Sequence, residues 1–353
     1  MRRTFVFTEH VERSADSFAA SNACSTKLTD ACNVRRHGEV CMAVTAKKKK
    51  ASFAQEVVRD FRRNKYVYLM LLPVLAYYVI FHYAPMYGAQ IAFRDYVPML
   101  GITGSDWIGW ENFTDFFGSP SFGQLVRNTL AINVLDLVFG FPAPIILALL
   151  LNEVTTPWFK RTVQTITYMP YFISIVVLVG MVLDFTAREG MINQILGVFG
   201  IEAIQFMTLP EWYWPIYVVS GIWQTVGWGS IIYLAAITNI DPALYEAAKV
   251  DGAGRWKQLI HITIPGISAT IIVLLILRLG QMMSLGYEKT ILIYNPLIFD
   301  TADVISSYTY RRGILDANYG FSAAVGLFNS VINFGLLLVA NALARRRNGS
   351  GLF

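Results

Sequence analysis

The sequence predicts an all-α fold, a polytopic membrane helical bundle with six transmembrane helices, and three observations carry that reading. Of 353 residues, 55% are hydrophobic and 15% charged, with a mean hydropathy of +0.46; an ordinary soluble domain has roughly 45–50% and about 25%. Six apolar segments recur, each near the ~20 residues that cross ~30 Å of hydrocarbon. Lys and Arg gather on alternate loops, as topology signals do. Together these exclude a typical soluble enzyme. The net charge of +5 does not signal nucleic acid, because the basic residues follow the loops rather than one patch.

Residues 1–46 form a mixed polar stretch with six Lys/Arg against five Asp/Glu and no sustained apolar period, expected to be a disordered N-terminal extension. It lacks the apolar run of a signal peptide, and Met42 is an alternative start. The three cysteines, Cys24, Cys32 and Cys41, all lie here, at spacings unlike a paired zinc motif. His10, His37, His82 and His261 are scattered, so no metal site is expected.

Residues 47–65 carry eight Lys/Arg, with Phe53, Val57, Val58 and Phe61 at helical spacing after Ser52. The pattern predicts a basic amphipathic helix on the cytoplasmic membrane surface. The membrane domain then runs over 66–344, with spans at 66–86, 125–151, 162–185, 212–237, 267–287 and 320–343, and 345–353 is a tail. With the first span entering from the cytoplasm, sixteen Lys/Arg fall on inside segments and six outside, placing both termini in the cytoplasm. The long external segments 87–124 and 288–319 are rich in turn residues and predict ordered caps or short helices. The stretch from Met191 to Ile204 is too short and Gly-broken to cross again.

The inside loop 239–265, NIDPALYEAAKVDGAGRWKQLIHITIP, is the most informative. Asp241 is placed to N-cap a helix with Pro242 at its first position, and Gly252 and Gly254 to end it; Pro265 closes the loop before the fifth span. Ala243, Ala247 and Ala248 keep the helix thin enough to enter a groove on a partner, and Glu246 and Lys249 supply orienting charges. A plain connection between two spans needs none of this.

Glu246-Ala247-Ala248, three residues, Gly252, nine residues, Ile262, one residue, Ile264-Pro265 resembles the EAA signature of permease subunits in binding-protein-dependent ABC importers, departing only at Ile264, where Leu is usual. Ile222-Trp223-Gln224 with Val226-Gly227-Trp228, and Gly190 with Asn193, are similar to the carbohydrate branch. FHYAPMYGAQIAFRDY (81–96), ILALLLNEV (146–154), FKRTVQTITYMPYFIS (159–174) and ADVISSYTYRRG (302–313) resemble its oligo- and polysaccharide subgroup, which includes alginate-type importers.

The resemblance implies a type I ABC importer permease fold in the cytoplasmic (inner) membrane and transport by alternating access. The loop helix would be the coupling helix, docked on a cytosolic ATPase through Glu246, Ala247, Ala248, Asp251 and Gly252, with Ile262, Ile264 and Pro265 anchoring it. Implied partners are a second homologous permease, two ATPase subunits, an extracytoplasmic solute-binding protein, the carbohydrate and membrane lipid. ATP and Mg would bind the ATPases. The chain itself has no Gly-Lys pair and hence no phosphate loop, and is expected to be neither an enzyme nor a cofactor carrier.

Sugar sites stack ring faces on aromatics and satisfy hydroxyls with amides and charged groups. Candidates within the spans are Asn133, Trp223, Gln224, Trp228, Tyr233, Gln281 and Asn329. Arg278, about a dozen residues into the fifth span, joins them as either a pathway charge favouring an anionic saccharide or a partner of Asp136 in the second span, since a lone charge at that depth costs at least ~2.5 kcal/mol. The alternative class is an ion-gradient-driven secondary transporter with Asp136 as its coupling carboxylate. A membrane enzyme would want clustered acids, and Asp300, Asp303 and Asp316 are too widely spaced for that.

Overall fold

The computed structural model describes residues 63–348. The N-terminal extension with its cysteines and Met42, most of the basic helix predicted over 47–65, and the tail beyond 348 lie outside the described residues. The chain divides into two units, Met1–Pro73 and Val74–Phe353. In the first, the described residues are helical from Lys65, and every side chain from Lys65 to Pro73 is exposed. That is the surface an apolar helix presents to lipid rather than water.

The first helix, α1 (Lys65–Tyr78), continues through a widened turn at Val79–Tyr83 into Ala84–Met86 and a tight turn at Tyr87–Phe93. In the second unit, residues 87–118 form the expected ordered cap: a two-residue antiparallel pairing of β1 (Arg94–Asp95) with β2 (Asp106–Trp107), then α2 (Glu111–Gly118). Next come α3 (Phe122–Leu135), α4 (Pro142–Glu153), α5 (Pro157–Tyr168), α6 (Ile175–Thr186), α7 (Met191–Val198) and α8 (Pro210–Thr238). The rest are α9 (Pro242–Val250), α10 (Arg255–Gln258), α11 (Ile264–Leu279), α12 (Tyr287–Ile293), α13 (Ile305–Tyr310) and α14 (Tyr319–Asn348). Among the described residues five continuous helical stretches are long and apolar enough to cross a membrane, or six if one bent pair counts as a span.

That bent pair corrects the continuous third span predicted over 162–185. Residues Pro157–Phe172 and Ile175–Val198 meet at 104°. Pro170 tightens the end of the first piece and Ser174 starts the second, its hydroxyl accepting from the Val177 amide at 3.4 Å. The fifth span is also displaced. It runs from Arg255 to Leu279 rather than over 267–287, passing through Pro265 instead of stopping there. A widened turn at Leu259–Thr263, closed by the Ile264 amide on the Leu259 carbonyl, precedes the proline and lets the helix restart with Pro265 in its first turn, where a missing N–H costs little.

α8 is the central helix, packing on α3, α4, α5 and α11. Its contact with α5 is closest at Gly227, where a Cβ would overlap the Thr167 carbonyl. One core cluster joins α8 near its Pro210 end to α3, α6 and α12 through Tyr213, Val218, Ile132, Leu178 and Ile293. Another joins its Thr238 end to α4 and α11 through Ala148, Tyr233, Ile237 and Ile267. A third packs α2, α3 and α14 around Phe116, Leu125 and Phe321.

Candidate functional site

Two regions gather the residues singled out from the sequence. The first is α9. The Asp241 carboxylate accepts from the Ala243 amide at 2.9 Å, capping the helix. At the other end the Gly252 amide donates to the Lys249 carbonyl at 3.1 Å and the Ala253 amide to the Ala248 carbonyl at 2.8 Å, with Gly252 at φ +75°. This is a Schellman closure, which needs the left-handed conformation that glycine adopts without strain.

The helix so defined is exposed along its length. Glu246, Ala247, Asp251 and Gly252 face outward, Ala248 is half-buried, and Val250 and Trp256 are 88% and 77% exposed. Of Ile262, Ile264 and Pro265, the first is half-buried and the others are exposed. Beside them Thr263 and Ile267 are buried, Tyr245 shares a 2.9 Å hydrogen bond with Thr263, and Gly266 admits the Ile240 side chain. The result is a rigid, capped helix held at its base, with charged and apolar side chains free above it.

The second region lies inside the bundle. Arg278 donates to the Asp136 carboxylate at 2.6 Å and to the Asn133 side-chain oxygen Oδ1 at 3.1 Å. Asn133 is fully buried and anchored by its own donation to the Thr129 carbonyl at 2.9 Å. Asp136 opens a widened turn ending at Gly140, closed by the Phe141 amide on the Asp136 carbonyl. A Cβ at Gly140 would collide with the Asp136 carboxylate and push it from its place beside Arg278. Such turns recur at functional sites. The displaced fifth span puts Arg278 in the last turn of α11 rather than mid-helix, where the helix dipole also favours a cation.

The ion pair lines a cavity of about 310 Å³ with Thr225, Gly229, Tyr233 and Gln281. Arg278, Tyr233 and Gln281 are thus brought together, with Asn133 behind the guanidinium. The other candidates are not. Trp223 borders a separate apolar cavity of about 480 Å³ between α6, α7 and α8. Gln224 donates to the Ile173 carbonyl at 3.3 Å, satisfying a backbone group freed by the break in the third span. Trp228 stacks on Tyr171 at 4.7 Å. Asn329 holds a buried side-chain oxygen, Oδ1, with no hydrogen-bond partner, away from that cavity's lining.

Two further cations of the external segment 288–319, counted among the outside topology signals, are drawn into the fold, Lys289 buried and Arg311 half-buried. Lys289 is 7% exposed; its ammonium donates to the Tyr217 carbonyl at 2.7 Å and lies 4.2 Å from the Tyr217 ring. Burial lowers its pKa to about 8, opposed by the Asp136 charge. Arg311 grips Asp303 with two hydrogen bonds, at 2.9 and 2.5 Å, and Ser307 donates to the same carboxylate at 2.7 Å. Burial works against the Arg311 charge, but the Asp303 carboxylate outweighs it and raises the pKa. The sequence signal for Lys289 was a lone lysine in the apolar helix YEKTILI.

Comparison with known proteins places this geometry in context. A family model described as "Binding-protein-dependent transport system inner membrane component" matches residues 140–349. The chain is 46% identical to Protein LplB of Bacillus subtilis (strain 168), covering 83% of this chain and 92% of that protein. It is 44% identical to the polygalacturonan/rhamnogalacturonan transport system permease protein YteP of the same organism, covering 82% and 91%. It is also similar to a chain in the crystal structure of a bacterial alginate ABC transporter in complex with an alginate pentasaccharide-bound periplasmic protein, at TM-score 0.76 and 44% identity, covering 83% of this chain and 99% of that one.

Proposed function

The chain belongs to the binding-protein-dependent transport system inner membrane components, and from that premise we propose that it is a permease subunit of an ATP-driven oligosaccharide importer. As a multi-pass membrane protein it would sit in the cytoplasmic membrane with both termini inside. It would pair with a second permease, receive sugar from a solute-binding protein, and couple through α9 to ATPase subunits that hold the ATP and Mg.

The observation that carries the coupling is the exposed α9, capped at both ends and held at its base by Tyr245 and Thr263. A helix so closed transmits displacement as a unit, so closure of an ATPase dimer beneath it would move the bundle and switch the access of its cavity. The oligosaccharide is supported by the names of the relatives and by the cavity's mix of Tyr233, Gln281, Thr225 and the ion pair. The gradient-driven alternative finds less support: Asp136 is engaged by Arg278 at 2.6 Å, and such a carrier has no use for the capped, exposed α9.

The test is Glu246→Lys and Gly252→Trp in the assembled importer. Both are expected to insert in the membrane yet lose sugar uptake or sugar-stimulated ATP hydrolysis. Normal transport with normal hydrolysis in both would refute coupling through α9.

A further inference from the structure

Two membrane-crossing stretches meet at one cavity: Phe122–Glu153 ends there and Arg255–Leu279 begins there. The cavity lies between the end of α4 and the start of α10 and measures about 400 Å³, within the ~300–1,000 Å³ of small-molecule sites. Its lining shares no residue with the cavity at Arg278. Its walls change character with depth. Glu153 and Arg255 stand at the two helix ends. Leu150, Leu149 and Ile146 lie three, four and seven residues back along α4, and Leu259 lies four residues on from Arg255. At ~1.5 Å per residue the apolar walls extend about 5–10 Å from the charged rim toward the hydrocarbon.

The rim holds two opposite charges that do not meet. Glu153 and Arg255 line the same space, yet among the described residues neither takes part in an ion pair. Trp256, 77% exposed, stands beside them, as tryptophan does where a membrane meets water. Ile146 and Leu150 are more than half exposed, so the groove opens on the outside of the chain. Water gains little from walls of leucine and isoleucine, whereas an acyl chain fits them. A protein occupant would have to bring an apolar wedge and two opposite charges together. A phospholipid carries all three by its construction, and the membrane supplies it at this depth.

We infer that this groove binds phosphatidylethanolamine: the lipid phosphate accepts from the Arg255 guanidinium, its ammonium donates to the Glu153 carboxylate, and an acyl chain lies along the leucines and Ile146. A guanidinium fork matches phosphate oxygens. A headgroup with one charge of each sign matches a rim with one of each. An anionic headgroup would leave Glu153 facing a phosphate, and a choline offers Glu153 no N–H. Placing the lipid in the inner leaflet rests on the topology proposed above, while the match of rim and walls does not. Seated there, the lipid ties α4 to α10, three residues beyond Gly252, and braces the base of α9.

The experiment measures lipid retention by native mass spectrometry on the assembled importer in detergent. It is offered equal amounts of phosphatidylethanolamine, phosphatidylglycerol and phosphatidylcholine with identical acyl chains. Wild type is expected to retain phosphatidylethanolamine in preference. Arg255→Gln and Glu153→Gln should each weaken that binding about tenfold, and Leu150→Trp, which fills the groove, should abolish it. Arg345→Gln, an exposed cation outside the lining, should leave it unchanged. Wild type without a preference overturns the inference, as do rim variants that bind like wild type. A preference for phosphatidylglycerol that Glu153→Gln leaves intact also overturns it, because the rim is then only a basic patch. A photoreactive residue at position 150 should cross-link to lipid; cross-linking to an ATPase or second permease instead assigns the groove to that subunit and overturns the lipid. Lys257→Cys, with Cys24, Cys32 and Cys41 replaced by Ser, should be labelled by an impermeant maleimide only in inverted vesicles. Labelling in intact cells overturns the proposed topology and the inner-leaflet placement alone.

Discussion

Arg278, in the last turn of α11, and Asp136, at the widened turn after α3, meet at 2.6 Å across 142 residues of sequence, and the same Arg278 nitrogen also donates to the side-chain oxygen of Asn133. The pair ties two helices around the cavity and sets its charge. Their side chains are 23% and 35% exposed, so the pair is only partly desolvated.

Breaking it should therefore cost less than the ~3–5 kcal/mol of a fully buried pair, about 2 kcal/mol. Asp136→Asn should lower the melting temperature of the detergent-solubilised complex, and the double variant Asp136→Asn with Arg278→Gln should recover part of the loss. A double variant as unstable as the sum of the singles would show that the two residues do not act as a pair.

Gly252 and Gly254 look alike in sequence but differ in backbone. Gly252 sits at φ +75° with open space around its Cα, whereas Gly254 is extended at φ −70°. Gly252→Ala should cost about 1–2 kcal/mol of local stability and speed amide exchange at Gly252 and Ala253. Gly254→Ala should change neither exchange nor transport.

At Gly227 the obstacle is backbone rather than side chain, since a Cβ would overlap the Thr167 carbonyl. Gly227→Ala should push α8 off α5 and lower the amount of assembled complex in the membrane, by the ~1–3 kcal/mol typical of overpacking. Gly326→Ala, where nothing stands within 4 Å, is the matched control and should assemble normally.

Tyr245→Phe removes the 2.9 Å hydrogen bond that holds α9 to Thr263. The expected cost is about 1 kcal/mol, read as a rise in ATP hydrolysis not matched by sugar uptake. Unchanged coupling would place the anchorage in Ile267 and the Gly266–Ile240 contact alone.

Lys289 gives stability a pH dependence with a definite sign. Its pKa in the folded chain is about 8, below the ordinary 10.5. Between those values the unfolded chain holds a proton that the folded chain has released, so this residue's contribution to stability grows as pH rises. Comparing melting temperatures at pH 7.5 and 9.5, the wild type should gain relative to Lys289→Met. A parallel shift in both would show that Lys289 stays charged throughout.

The features foreseen from the residues are those built by local hydrogen bonding. Asp241-Pro242 and Gly252 define α9 because a cap reaches only two to five residues along the chain, and the structure closes both ends as the spacing requires. Most spans were likewise read from runs of apolar residues. The break at Ile173–Ser174 was missed although Pro170 and Ser174 stood in the sequence, because the apolar run continues across it. The Ile173 carbonyl left by the break is met by Gln224 of α8, a contact the local sequence does not foretell.

By itself, then, the sequence determined that this is a helical membrane protein, which family it resembles, and where its capped cytoplasmic-type helix begins and ends, since each is written in composition or in short-range spacing. Only the tertiary structure decided which helix faces meet. It put Arg278 on Asp136, moved Trp223 and Gln224 away from the cavity, and turned Lys289 from a presumed loop charge into a buried cation over Gly221. The physical reason is that a charge's role depends on its counter-ion and its burial. Both are set by packing between helices far apart in the chain, which apolar periodicity does not encode.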